Sequence, residues 1–159
     1  MQNKLEVMAK NILIDCDMLN KLPVNLLEIA RINNIDVYYK ELPDDVSGAI
    51  KYDKNTQKFK IIIKSSLPRT RQRFTLAHEL SHYFLNKDTL MSEELHIDTL
   101  YRKDTESETN IDYLAGAILI NKELVEDLYS ITTSISSLAN AFLVSESAMR
   151  VRLIVLGIL

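Results

Sequence analysis

His78-Glu79-Leu80-Ser81-His82 holds two histidines four positions apart. In an α-helix such positions lie one above the other on one face, so both imidazoles can occupy adjacent corners of a metal tetrahedron. Glu79, one residue on, projects beside that face and can reach a metal-bound water as general base. Zinc lowers the pKa of such a water towards roughly 7, which makes hydroxide available at neutral pH. The plain alternative is a pair of hydrogen-bonded core histidines. Against it, three titratable side chains interrupt an apolar helical pattern, where burying them unpaired is costly. They also use two of the chain's three histidines.

A catalytic zinc takes three protein ligands and keeps a fourth position for water. Downstream, Glu108-Thr-Asn-Ile-Asp112 opens a helical pattern in which Glu108 and Asp112 share a face. Glu108 fits as third ligand and Asp112 as acceptor for the other N–H of His78, fixing its tautomer. Glu106 is the competing ligand, and both glutamates also suit a first helical turn as acids complementing the dipole. For the group that stabilises a developing oxyanion, the candidates are His96, Tyr101, Arg102 and Tyr113, with nothing in the sequence to choose among them.

These residues need elements to place them. Leu5, Met8, Ala9, Ile12, Leu13, Cys16 and Leu19 follow helical spacing and predict a helix over about 3–19, with Cys16 in its apolar stripe. A second helix is expected from near Pro23 to the Asn33-Asn34 stop. Ile35–Tyr39, Gly48–Asp53 and Lys58–Lys64 read as strands, the last two joined by a turn near Lys54–Gln57. A helix over about 69–85 is apolar around much of its circumference and carries the histidines. Residues 86–105 are polar and irregular. Helices resume at about 108–120, 122–129, 136–143 and 147–156, with Asn121 and Ser145 as N-caps and Gly157 as a stop. The expected fold is α+β: a small three-stranded sheet on a zincin-like helical core, followed by a helical pair at about 134–157, all in one domain over 1–159.

The longer stretch Arg71-Gln-Arg-Phe-Thr-Leu-Ala-His78-Glu-Leu-Ser-His82, followed by Glu108-xx-Ile-Asp-x-Leu-Ala115-xx-Ile-Leu-Ile, resembles the ImmA/IrrE family of zinc metallopeptidases. The family pattern is RxxFTLAHELGH, then E-x-x-A-N-x-F-A-x-x-L-L-M-P. The resemblance implies that His78, His82 and Glu108 hold one zinc ion per chain and that Glu79 is the general acid/base. It further implies cleavage of a partner helix-turn-helix repressor of the Xre type, relieving repression in a bacterial prophage, mobile element or stress response. Ser81 stands where the family has Gly, which is tolerable on an exposed or loosely packed face. Ile111-Asp112 replaces Ala-Asn, keeping an acceptor for His78, and Asn121 replaces Pro. Manganese or iron could substitute for zinc in the cell.

Composition bounds the rest. With 159 residues, a net charge of −3 and 47% hydrophobic residues, the chain is long enough for a sizeable core and too aliphatic to be disordered. The longest purely apolar runs, Leu114–Ile120 and Leu153–Leu159, are far short of the roughly 18–20 residues a bilayer span needs. The opening segment carries acids and amides and does not read as a signal peptide. A single cysteine forms no internal disulfide, and a cytoplasmic setting is expected. The competing class is a DNA- or partner-binding regulator built on the helix-turn-helix-like stretch 135–153, with zinc structural or absent. Its second helix offers only Arg150 and Arg152, with Glu146 against them, so direct nucleic-acid binding is not the expectation. The basic run Lys51–Arg73 reads as a solvated sheet face, or as an edge near Lys58–Lys64 that receives an extended substrate strand.

Overall fold

The computed structural model describes residues 1–92 and 106–159, and the backbone of 96–99. The chain opens with α1 (Gln2–Asp15), α2 (Leu26–Ile32), β1 (Ile35–Lys40), β2 (Val46–Asp53) and β3 (Lys58–Lys64). It continues through α3 (Arg69–Ser92), β4 (His96–Thr99), α4 (Glu106–Leu119), α5 (Lys122–Tyr129), α6 (Ile135–Phe142) and α7 (Glu146–Val155). The fold is α+β, as the alternation of periods required. No helix among the described residues is long and apolar enough to cross a membrane.

Local chemistry sets the boundaries. α1 stops four residues earlier than its apolar spacing predicts, because Asp17 turns the chain at φ 55° and Met18 N–H caps back to the Leu13 carbonyl. α2 starts after Asn25, whose side chain accepts from the Glu28 N–H, rather than at Pro23. The β2–β3 turn falls at 54–57, with Gln57 at φ 55° and Asp53 accepting from the N–H groups of Asn55 and Thr56. A Lys60 hydrogen bond, reinforced by those backbone donors, lowers the Asp53 carboxyl to about 2. Asn121, Ser134 and Ser145 cap α5, α6 and α7 through their side chains.

The sheet has the order β1-β3-β2-β4, with β1 parallel to β3 and the other pairs antiparallel. β4 adds a fourth strand to the three expected, from within the polar stretch, where four residues are too few to show a period. Because β3 has a neighbour on each side, Lys58–Lys64 has no free edge, and the strand-addition idea for that segment does not hold. Its lysines are spoken for: Lys58 pairs with Asp36, Lys60 with Asp53, and the buried Lys64 donates to the carbonyls of Pro43 and Asp44. Phe59, Ile61 and Ile63 alternate inward from β3 and join Ile50 of β2 in one core with Leu76, Leu80, Leu114 and Ile118 of the helices.

Two arginines tie distant segments together. Arg73 donates to the carbonyls of Val24 and Leu143, fastening the entry to α2 and the α6 terminus onto α3. Arg152 turns inward from α7, 4% exposed, and clasps both oxygens of Glu6 on α1 while donating to the Ile120 carbonyl. One of the two cations that a DNA-reading α7 would need is therefore committed to the core.

Candidate metal centre

α3 is buried on every side from Thr75 to Tyr83, the outcome its apolar circumference predicts. Its regular part ends at Asn86, which leaves helical geometry at φ −129°. Within the buried run His78 and Glu79 are 0% exposed and His82 is 2% exposed. Ser81 is fully buried too, which corrects the expectation of an exposed or loosely packed position. Its hydroxyl donates to the Ala77 carbonyl at 2.8 Å, so the extra polar atom relative to glycine is satisfied within the helix.

Spacing of four brings the two imidazoles edge to face, with ring centroids 4.8 Å apart and Nε2 atoms 3.1 Å apart. Glu108, in the first turn of α4, closes a triangle with one oxygen 3.4 Å from His78 Nε2 and the other 3.7 Å from His82 Nε2. The three side chains are the described group whose donor atoms all lie within 4.8 Å of one another. Glu106, the competing ligand, is exposed at the start of α4 and outside this group. Asp112, one turn after Glu108, places Oδ1 2.9 Å from His78 Nδ1.

The donor chemistry fits a divalent cation. Two imidazole nitrogens and a carboxylate form a mixed nitrogen/oxygen set, and ligands at ~2.05 Å from a tetrahedral ion lie about 3.3 Å from each other. The observed edges of 3.1–3.7 Å bracket that length. A proton on His78 Nδ1, facing Asp112, would leave the Nε2 lone pair directed at the cluster, the arrangement that orients a metal-bound histidine.

The family profile of the IrrE N-terminal-like domain matches residues 30–154, a span that contains every residue of this cluster. The chain belongs to the ImmA/IrrE family. Among ImmA/IrrE relatives, the Bacillus subtilis metallopeptidase ImmA is 30% identical over 104 residues, covering 65% of this chain and 59% of ImmA. The radiation response metalloprotease IrrE of Deinococcus deserti is 41% identical over 71 residues, covering 43% of this chain and 25% of IrrE. The matched part of this ImmA/IrrE chain thus spans less than two thirds of ImmA and a quarter of IrrE. A Mycobacterium tuberculosis transcriptional regulator shares the fold, with a TM-score of 0.65 and 18% identity over 95% of this chain and 46% of that one.

Gly48 joins the site without belonging to its motif. It sits on β2 beside the register shift between Val46 and Gly48, where β2 packs on α3. A Cβ there would stand 2.7 Å from Thr75 Cγ2, 3.1 Å from the Ile62 carbonyl and 3.3 Å from Glu79 Oε1. Glycine inside a strand is itself the signal for a bulge or a close approach. Gly48→Ala should cost about 1–3 kcal/mol through overpacking and displace the Glu79 carboxylate. Urea denaturation and a cleavage assay check this in the ImmA/IrrE chain, and a variant equal to the parent in both would remove Gly48 from the site.

Of the oxyanion candidates, Tyr113 is committed elsewhere, donating its hydroxyl to Glu6 at 2.7 Å. Tyr101, Arg102 and the side chain of His96 lie outside the described residues. Cys16 is buried, as its place in the apolar stripe predicts, and burial pushes its thiol pKa up.

Proposed function

We propose that the chain is a zinc-dependent endopeptidase whose ion is held by His78, His82 and Glu108, with Glu79 as the proton-transferring group. The observation that carries this reading is the triangle of two Nε2 atoms and one carboxylate, with edges of 3.1, 3.4 and 3.7 Å, on a buried helix. A bound zinc ion supplies a Lewis acid that activates water near neutral pH and polarises a peptide carbonyl.

The chain's own residues then do the following. His78 is held in one tautomer and one orientation by Asp112, so the cluster is set before substrate arrives. Glu79 accepts a proton from the attacking water on a carboxylate oxygen and hands it to the leaving amine nitrogen. Its complete burial keeps bulk water from competing for that proton. The protein substrate in this reading is a helix-turn-helix repressor of the Xre type. That part rests on the resemblance of Arg71–His82 and Glu108–Ile120 to the family, whereas a cytoplasmic setting rests on the single cysteine.

Metal content by plasma mass spectrometry tests the proposal. After reconstitution with zinc, about one ion per chain is expected, with a sharp fall in Glu108→Ala. Chelation should also lower the thermal midpoint, because bound metal contributes to folding. A chain that takes up no zinc would leave His78 and His82 as structural residues and end the proposal.

A further inference from the structure

The site sits on a seam between two antiparallel helices that step together in fours. His82 faces Glu108, and His78 faces Asp112. Further along the same two helices, Thr70 and Phe74 of α3 and Gly116 of α4 line one groove together with Ile120. Here the seam opens into a groove of about 480 Å³, whose third wall is α7. Phe74, Gly116, Val144, Ala148, Val151 and Val155 supply an apolar lining, and Asp112 and Thr109 stand at the end nearest the cluster. On the α7 wall Val151 is 60% exposed and Val155 40% exposed, so this surface is built apolar and left uncovered.

Gly116 makes the groove. Interior glycine weakens a helix relative to alanine, yet nothing lies within 4 Å of where its Cβ would be. The residue therefore answers no steric demand of the fold, and the space above it is groove. Charge is arranged along the same line. Arg71 borders the groove with its guanidinium over the Phe74 ring at 5.9 Å, and it has no hydrogen-bond or ion-pair partner among the described residues. The first turn of α3 carries no acidic residue, so the positive end of that helix adds to Arg71.

We propose that this groove docks an apolar segment of the protein substrate that carries an acidic residue, with its carboxylate at Arg71 and its chain leading along the seam towards His78. The inference rests on the peptidase reading for the word substrate, and on the groove alone for the chemistry of the segment. The occupant is recognised by charge at one end and by apolar area along the rest.

The probe is a pair of fluorescein-labelled octapeptides of leucine and alanine, one ending in Glu and its twin in Lys. Fluorescence anisotropy reads their binding to the metal-free full chain. The Glu peptide should bind about tenfold or more tightly than the Lys peptide, and Arg71→Gln should remove the difference. Gly116→Leu fills the groove from its floor, and Val151→Glu puts a like charge on the facing wall. Each should weaken the Glu peptide by about tenfold or more without lowering the thermal midpoint. Equal affinity for both peptides, binding of neither, or unchanged binding by Gly116→Leu overturns the proposal. So does a dimer of the chain alone that Gly116→Leu dissociates, since a second copy would then be the occupant. Binding is read without hydrolysis. Its failure leaves the metal and cleavage results standing, and intact binding with no cleavage faults the peptidase reading instead.

Discussion

Glu79→Gln is expected to retain zinc at the parent level and to slow peptide cleavage by roughly two to four orders of magnitude, the range a positioned general base contributes. The substitution is nearly isosteric, so the close approach to Gly48 survives it. What is lost is the capacity to take a proton, since a carboxamide is not a base. The parallel variant His78→Ala should instead lower metal content and, with it, the thermal midpoint. Paired measurement of metal content and cleavage separates the two roles. A Glu79→Gln protein that cleaves at the parent rate would remove Glu79 from proton transfer, whatever its metal content. One that loses its zinc would show that the carboxylate serves the ion rather than the proton.

The residues of this cluster were readable in advance because helix periodicity is a local property. A spacing of four placed His78 above His82, and the same spacing placed Asp112 one turn after Glu108. What spacing could not show was the partner across the seam, and there the motif carried the prediction. The features that escaped are non-local or too short. β4 has only four residues in a polar stretch. Gly48 shows its reason only when α3 lies against β2, although a glycine inside a strand is a usable hint. Ser81 escapes because a serine gives no sign, by itself, that its hydroxyl will bond back to the helix carbonyl four residues earlier. Arg152 reads from spacing as a surface cation on α7, and its partner is 146 positions away, beyond any periodic signal.

That partner gives the largest expected loss of stability. Glu6→Ala should destabilise the chain by about 3–5 kcal/mol, because it strands a buried guanidinium rather than merely deleting a contact. Arg152 is 4% exposed at the side chain and Glu6 17%, so water cannot readily replace the lost carboxylate. The pair also joins the first helix to the last, and Tyr113 of α4 donates to the same Glu6. If the cost is the orphaned charge, Glu6→Leu combined with Arg152→Met should recover most of it, since an apolar replacement of both partners leaves nothing unpaired. The same cluster predicts an acid response. Burial alone would raise the Glu6 carboxyl, but the hydrogen bonds from Arg152 and Tyr113, with the Arg152 charge, outweigh it and hold it below its ordinary value of 4.5. A carboxylate depressed by folding adds stability that is fully present above its unfolded value and is lost as pH falls through the folded one. The parent should therefore weaken below pH 4.5 more steeply than the Leu/Met double variant, which has no proton to take up at this position. Urea midpoints across that range decide it. Parallel pH profiles, or a Glu6→Ala variant within about 1 kcal/mol of the parent, would mean that solvent reaches Arg152 and that the clasp between the chain's two ends contributes little.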